Sequence, residues 1–185
     1  MLLTFCGLFL CQKNPASTAD TPSATPIANL ALQNGQLSGW DVDTGGSASY
    51  LLFLVKDSLS LFNEIDGGAT EYQHTVPGFS KFLVQKMMDS SMSLTIYIVD
   101  YSNSSNSAAM FDYTKSRWLL GSDADTLSNY SPSVAIGELS HVPDIYACAH
   151  FKQFYIELRF SGFSDHSMSK QEAIRFLDNY KEKIN

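Results

Sequence analysis

Residues 151–160 read FKQFYIELRF. Phe154, Ile156, Leu158 and Phe160 occupy every second position, with Tyr155, Glu157 and Arg159 between them. Successive side chains of an extended chain point to opposite faces, so this spacing predicts a strand with one apolar face and one face of tyrosine and charge. Residues 93–101, SLTIYIVDY, repeat the pattern, with Leu94, Ile96 and Ile98 on one side and Thr95, Tyr97 and Val99 on the other. Residues 79–88 form a third extended stretch, and the Asp89-Ser90-Ser91 break after it predicts an antiparallel hairpin. Asp144–Cys148 and Ser133–Ile136 read as further strands.

Elsewhere the apolar period becomes helical. Ala173, Phe176, Leu177, Tyr180 and Ile184 share one helix face, Ser169 and Glu172 read as a capping box, and Lys181 and Lys183 suit a helix C-terminus. A middle helix is predicted from about Ser107 to Trp118, with Ala109, Met110, Tyr113 and Arg117 spaced along it. The first helix starts near Asp57, carries Leu59, Phe62 and Ile65 and ends at Gly67-Gly68, with a further short turn through 69–74. Together these predict an α+β single domain, a mainly antiparallel sheet with about three helices packed on it.

The chain has 185 residues, 44% apolar and 12% aromatic, which suffices for one packed core. With 12 basic against 19 acidic side chains the net charge is −7, which argues against nucleic acid as a partner. Residues 1–11, MLLTFCGLFLC, are apolar but too short to span a bilayer, and they read as a signal-peptide core. Residues 12–28 are rich in Pro, Ser, Thr and Ala and read as a flexible tether, leaving 29–185 as the domain. An apolar run, a cysteine and a polar spacer give the layout of a bacterial lipoprotein, with Cys11 as the lipidated residue. The first basic side chain, Lys13, lies beyond the apolar run rather than before it, and Leu8-Phe9-Leu10 are bulkier than the residues that usually precede a lipidated cysteine. Localisation is expected to be exported: cell envelope, lipid-anchored in the periplasm, or secreted.

The stretch 61–72, LFNEIDGGATEY, resembles the signature of an uncharacterised bacterial family of exported proteins, often lipoproteins, that carry an I-D-G-G-A motif. The resemblance extends through 93–100, through 106–117 with Ala109, Tyr113 and Arg117, and through 151–155, where Gln153 replaces the family's usual glycine. It implies export and an α+β fold over roughly residues 40–184. It implies no chemistry, because the family has no established activity.

Each candidate site has a structural explanation beside it. Gly67 and Gly68 permit a tight turn that Asp66 caps, or else line a small ligand cleft. Asp66, Glu71 and His74 lie close enough in sequence to converge as the acid–base or metal-binding set of a hydrolase. Asp41-Val42-Asp43 resembles the start of a calcium loop but lacks its later ligands, with Gly45 and Leu52 at the fifth and twelfth positions. Cys148 and His150 share a strand face but supply only two metal ligands. No G-x-S-x-G, phosphate loop or dinucleotide fingerprint occurs, and Ser167-Met168-Ser169-Lys170 lacks the companion motifs of its enzyme class.

The leading reading is therefore a cell-envelope-tethered or secreted binding or accessory domain without a coherent catalytic set, cofactor or metal. Its partner would be a small molecule or an envelope protein, contacted through Tyr97, Trp118 and Tyr155 or beside Gly67 and Gly68. Membrane association would come only through the lipid on Cys11. The alternatives are the Asp66/Glu71/His74 enzyme and a structural subunit that docks a protein partner.

Overall fold

A computed structural model describes residues 21–44, 50–54, 72, 80–118, 125–126, 134–138, 145–163 and 166–185. Its strands are β1 (Asp41–Val42), β2 (Tyr50–Leu54), β3 (Lys81–Asp89), β4 (Met92–Asp100), β5 (Asp125–Thr126), β6 (Val134–Glu138), β7 (Ile145–Phe151) and β8 (Phe154–Ser161). The α-helices among the described residues are α1 (Ser104–Trp118) and α2 (His166–Ile184). Two helices are thus described where about three were expected, and the expected first helix falls outside the described residues.

β1 and β2 both pair with β3, and the sheet continues β3-β4-β8-β7-β6-β5. All described pairings are antiparallel. The β3–β4 hairpin turns at Ser90-Ser91 as expected, with Asp89 opposite Met92. The β7–β8 turn is Lys152-Gln153, and its positive-φ position is taken by Lys152, at 51°. β8 returns beside β4, Tyr97 opposite Glu157, which puts the two best-patterned strands together at the sheet centre.

The first face carries the larger apolar core. Leu94, Ile96 and Ile98 of β4 and Phe154, Ile156, Leu158 and Phe160 of β8 meet Ala173, Phe176, Leu177, Tyr180 and Ile184 of α2, all of them buried. These are the positions that the two periods predict. Trp40 anchors an aromatic group there, its ring centroid 5.4 Å from Phe176 and 6.1 Å from Phe160.

Two boundaries differ from the sequence expectation. α2 begins at His166, so Ser169 lies inside the helix instead of capping it. Glu172 has another use, since its Oε2 accepts from the Trp40 indole N–H at 2.9 Å and from Arg175 Nε at 3.1 Å. α1 begins at Ser104 rather than near Ser107, because Asn103 Oδ1 accepts the Asn106 N–H at 2.8 Å and caps it.

The expected tether also ends earlier than residue 28. Ser23 Oγ donates to the Ile184 carbonyl at 2.7 Å and Thr25 Oγ1 to that of Lys183 at 3.0 Å, which satisfies acceptors that the end of α2 leaves open. Gln153 clasps the Ser23 backbone from the β7–β8 turn, accepting its N–H at 2.7 Å and donating to its carbonyl at 3.0 Å. Ile27 and Leu30 follow as core residues, and the buried Gln85 amide pairs both ways with the Leu32 backbone at 2.8 Å. The segment is thus held both by hydrogen bonds and by burial of Ile27, Leu30, Ala31 and Leu32 in the core. Asp41 and Val42, which in sequence resemble the start of a calcium loop, pair with Met88 and Met87 as strand β1.

Gly162, just after β8, is a position where only glycine fits. Its φ is +87°, and a Cβ there would stand 2.5 Å from the Ser91 carbonyl oxygen and 3.2 Å from Met92 Cα, at the β3–β4 turn. Gly162→Ala combines backbone strain with a clash against backbone that cannot swing aside. It is expected to cost about 2–4 kcal/mol, read as a lowered urea midpoint with unchanged slope.

Candidate functional site

The second face of the sheet is built from the alternate residues of the same strands. β8 contributes Tyr155, Glu157 and Arg159, β4 contributes Thr95, Tyr97 and Val99, and β7 contributes Tyr146, Cys148 and His150. α1 lies over the β7–β8 side, with Ser107, Met110, Phe111 and Thr114 buried. Tyr72 is seated on the same face, its ring centroid 5.0 Å from Phe82 and 6.3 Å from Tyr155.

At the centre lies Glu157, only 3% exposed. Its Oε2 accepts from the Tyr72 hydroxyl at 2.8 Å and from the Tyr155 hydroxyl at 3.0 Å. Its Oε1 accepts from the Tyr146 hydroxyl and, at 2.6 Å, from Arg159 Nε. A carboxylate offers about four acceptor positions, and four donors occupy them. Tyr155 is also hydrogen-bonded to Thr114 Oγ1 at 2.9 Å, and Tyr101 donates to the Tyr72 carbonyl at 3.2 Å.

The electrostatics follow from burial around one anion. Desolvation, and then the Glu157 charge, push the Tyr72, Tyr101, Tyr146 and Tyr155 hydroxyls well above the usual phenol range. Cys148, opposite Glu157 across β7–β8, is a buried free thiol held neutral for the same two reasons. Burial acts to lower Arg159, but Glu157 and the surrounding tyrosines outweigh it and fix the guanidinium in its charged form. That guanidinium lies over two rings, 4.7 Å from the Tyr97 centroid and 4.9 Å from that of Tyr146.

The candidates read from sequence separate clearly. Tyr155 was expected to offer a contact surface, but it is fully buried beneath α1 with its hydroxyl engaged, so it serves the core. Tyr97 is half-buried, and its ring supports Arg159. Trp118 is the last residue of α1, and its side chain lies outside the described residues. Asp66, Gly67, Gly68, Glu71, His74 and Cys11 also lie outside the described residues. Cys148 and His150 do share a face, with His150 5.3 Å from the Phe111 ring. Among the described residues no group of three or more His, Cys, Asp or Glu side chains is placed to hold a metal.

Sequence reasoning missed Glu157, Arg159, Tyr72 and Tyr146 as a unit. The available signal was the alternation of Tyr155, Glu157 and Arg159 along one strand, which sets an acid between an aromatic and a base on a single face.

No family model and no curated protein matches the sequence. Among solved structures, the chain is similar to the extracellular domain of PknH from Mycobacterium tuberculosis, at 10% identity over 74% of this chain and 80% of that one, with a TM-score of 0.48. A likeness at that level says nothing about activity. No helix among the described residues is long and apolar enough to cross a membrane.

Proposed function

We propose that this chain is an exported, non-catalytic binding or accessory domain that takes its ligand at the open end of the tyrosine-bearing sheet face. One observation carries the reading: Glu157, the buried carboxylate of that face, has both oxygens filled by Tyr72, Tyr146, Tyr155 and Arg159. A general base needs a free lone pair aimed at a substrate proton. Glu157 has none and acts as a fastener, while Tyr97 and Arg159 of the same cluster keep contact with solvent.

Export and lipid attachment rest on the sequence: the apolar run to Cys11, the polar spacer after it and the likeness to the exported I-D-G-G-A family. The partner in this reading is a small molecule or another envelope protein. Native mass measurement of the chain taken from its own membrane fraction tests both parts. The expected species begins at Cys11, carries acyl chains and retains a non-covalent ligand that Tyr97→Ala releases. An unmodified Met1 terminus in the cytosolic fraction would overturn export. Ligand retention unaffected by Tyr97→Ala would overturn the assigned face, and turnover abolished by Asp66→Asn would overturn the non-catalytic reading.

A further inference from the structure

Resting on that reading, we infer that the open end of the second face binds an oxyanion, a carboxylate or phosphate group, through Arg159 with Thr95 and Lys86 beside it. Across the sheet Lys86 stands opposite Thr95, and Thr95 opposite Arg159. Cross-strand partners share a face and neighbouring strands lie about 4.8 Å apart, so the row runs cation, hydroxyl, cation. Two residues further along, Ser93 and Ser161 face each other with their hydroxyl oxygens 2.6 Å apart. This end is open: Lys86 and Ser93 are exposed, Thr95 is half-buried, and the Arg159 side chain is 43% exposed.

Arg159 is the central element because it is immobilised before any ligand arrives. Its Nε is tied to Glu157, and its guanidinium carbon lies over the Tyr97 and Tyr146 rings. A guanidinium ordered in this way binds without the usual loss of side-chain freedom and presents a fixed donor edge suited to paired oxygens. The cluster beneath is charge-balanced, since Glu157 offsets Arg159, so the bound group would be chosen by local geometry in a chain that is negative overall. Among the described residues the acids on the outer margin are Asp43, whose N–H donates to the Lys86 carbonyl, and Asp41, opposite Met88. Both lie beyond Lys86, away from Arg159, which places the anion between Thr95 and Arg159.

The test is a titration of the isotope-labelled full chain, following the Arg159 Nε–H and the Thr95 and Lys86 amides by NMR. The probes are inorganic phosphate and acetate at constant ionic strength, with chloride as reference. Saturable shifts at these three residues are expected with at least one of the two probes, and the stronger one identifies the anion class. Thr95→Val and Lys86→Met leave every contact of Glu157 in place and are expected to weaken binding about threefold or more each. Arg159→Lys retains the charge but loses the planar fork and is expected to abolish saturation. Shifts matching those of chloride, or binding insensitive to Thr95→Val and Lys86→Met, would overturn the inference. A native ligand released by Tyr97→Ala, together with indifference to both anions, would sink the oxyanion site and spare the broader binding reading.

Discussion

Raising the pH above 10 is expected to unfold the domain in one steep step, with tyrosinate absorbance and loss of far-ultraviolet circular dichroism rising together. Tyr72, Tyr101, Tyr146, Tyr155 and Tyr180 are buried, and burial holds each hydroxyl neutral beyond its usual range. Glu157 adds to the effect for the first four. The folded-state values therefore lie above the unfolded value of 10.0, and above that pH the unfolded chain releases protons that the folded chain retains. Stability present below pH 10 is lost as pH rises, by about 1.4 kcal/mol per unit for each such group. Five groups give a slope of about 7 kcal/mol per pH unit, enough to exhaust a typical domain stability of about 5–15 kcal/mol within about one or two units. Tyr180, far from Glu157 in its role, supplies an internal control: Tyr180→Phe should make the transition shallower by about one proton. Gradual tyrosine ionisation centred near pH 10 with unchanged circular dichroism would contradict this account.

The same tyrosines show what a sequence can and cannot disclose. Strand faces were legible because side-chain alternation is a local property of extended backbone, and Phe154, Ile156, Leu158 and Phe160 are buried where the pattern puts them. The α2 face was legible for the matching reason at helical period, from Ala173 through Ile184. Its start was not. Ser169 and Glu172 have the right spacing for a capping box, but Glu172 is taken by Trp40, 132 residues away in sequence. Residues 23–28 read as tether because Pro, Ser, Thr and Ala dominate residues 12–28, whereas Ser23 and Thr25 are held by hydrogen bonds to partners that no local window contains and Ile27 is buried in the core. Glu157 illustrates the general limit. Alternation set it opposite the apolar face, where a charge is normally solvated, and only the return of β8 beside β4 and β7 under the cover of α1 makes it interior.

The size of that commitment can be measured. Glu157→Ala is expected to cost about 3–5 kcal/mol, because it removes the carboxylate to which three buried phenols donate and leaves the Arg159 charge uncompensated over the Tyr97 and Tyr146 rings. The loss would be a broken-network penalty, not the net worth of the network, and the two are separable. Replacing the whole group by apolar side chains of similar shape, Glu157→Leu with Tyr72→Phe, Tyr146→Phe, Tyr155→Phe and Arg159→Met, removes the carboxylate and its four donors at once, at the cost of the Tyr155 bond to Thr114. That variant should recover most of the stability lost in Glu157→Ala, as measured by urea unfolding, since well-packed apolar replacements of buried ion pairs are commonly neutral or stabilising. It should also lose the alkaline sensitivity that Tyr72, Tyr146 and Tyr155 confer, cutting the protons released on unfolding by about three. If Glu157→Ala were nearly as stable as the parent, the carboxylate would not be the fastener of this face. If the apolar replacement stayed as unstable as Glu157→Ala, the charge itself would be needed for the sheet to close, and the phenol ring around it would be secondary.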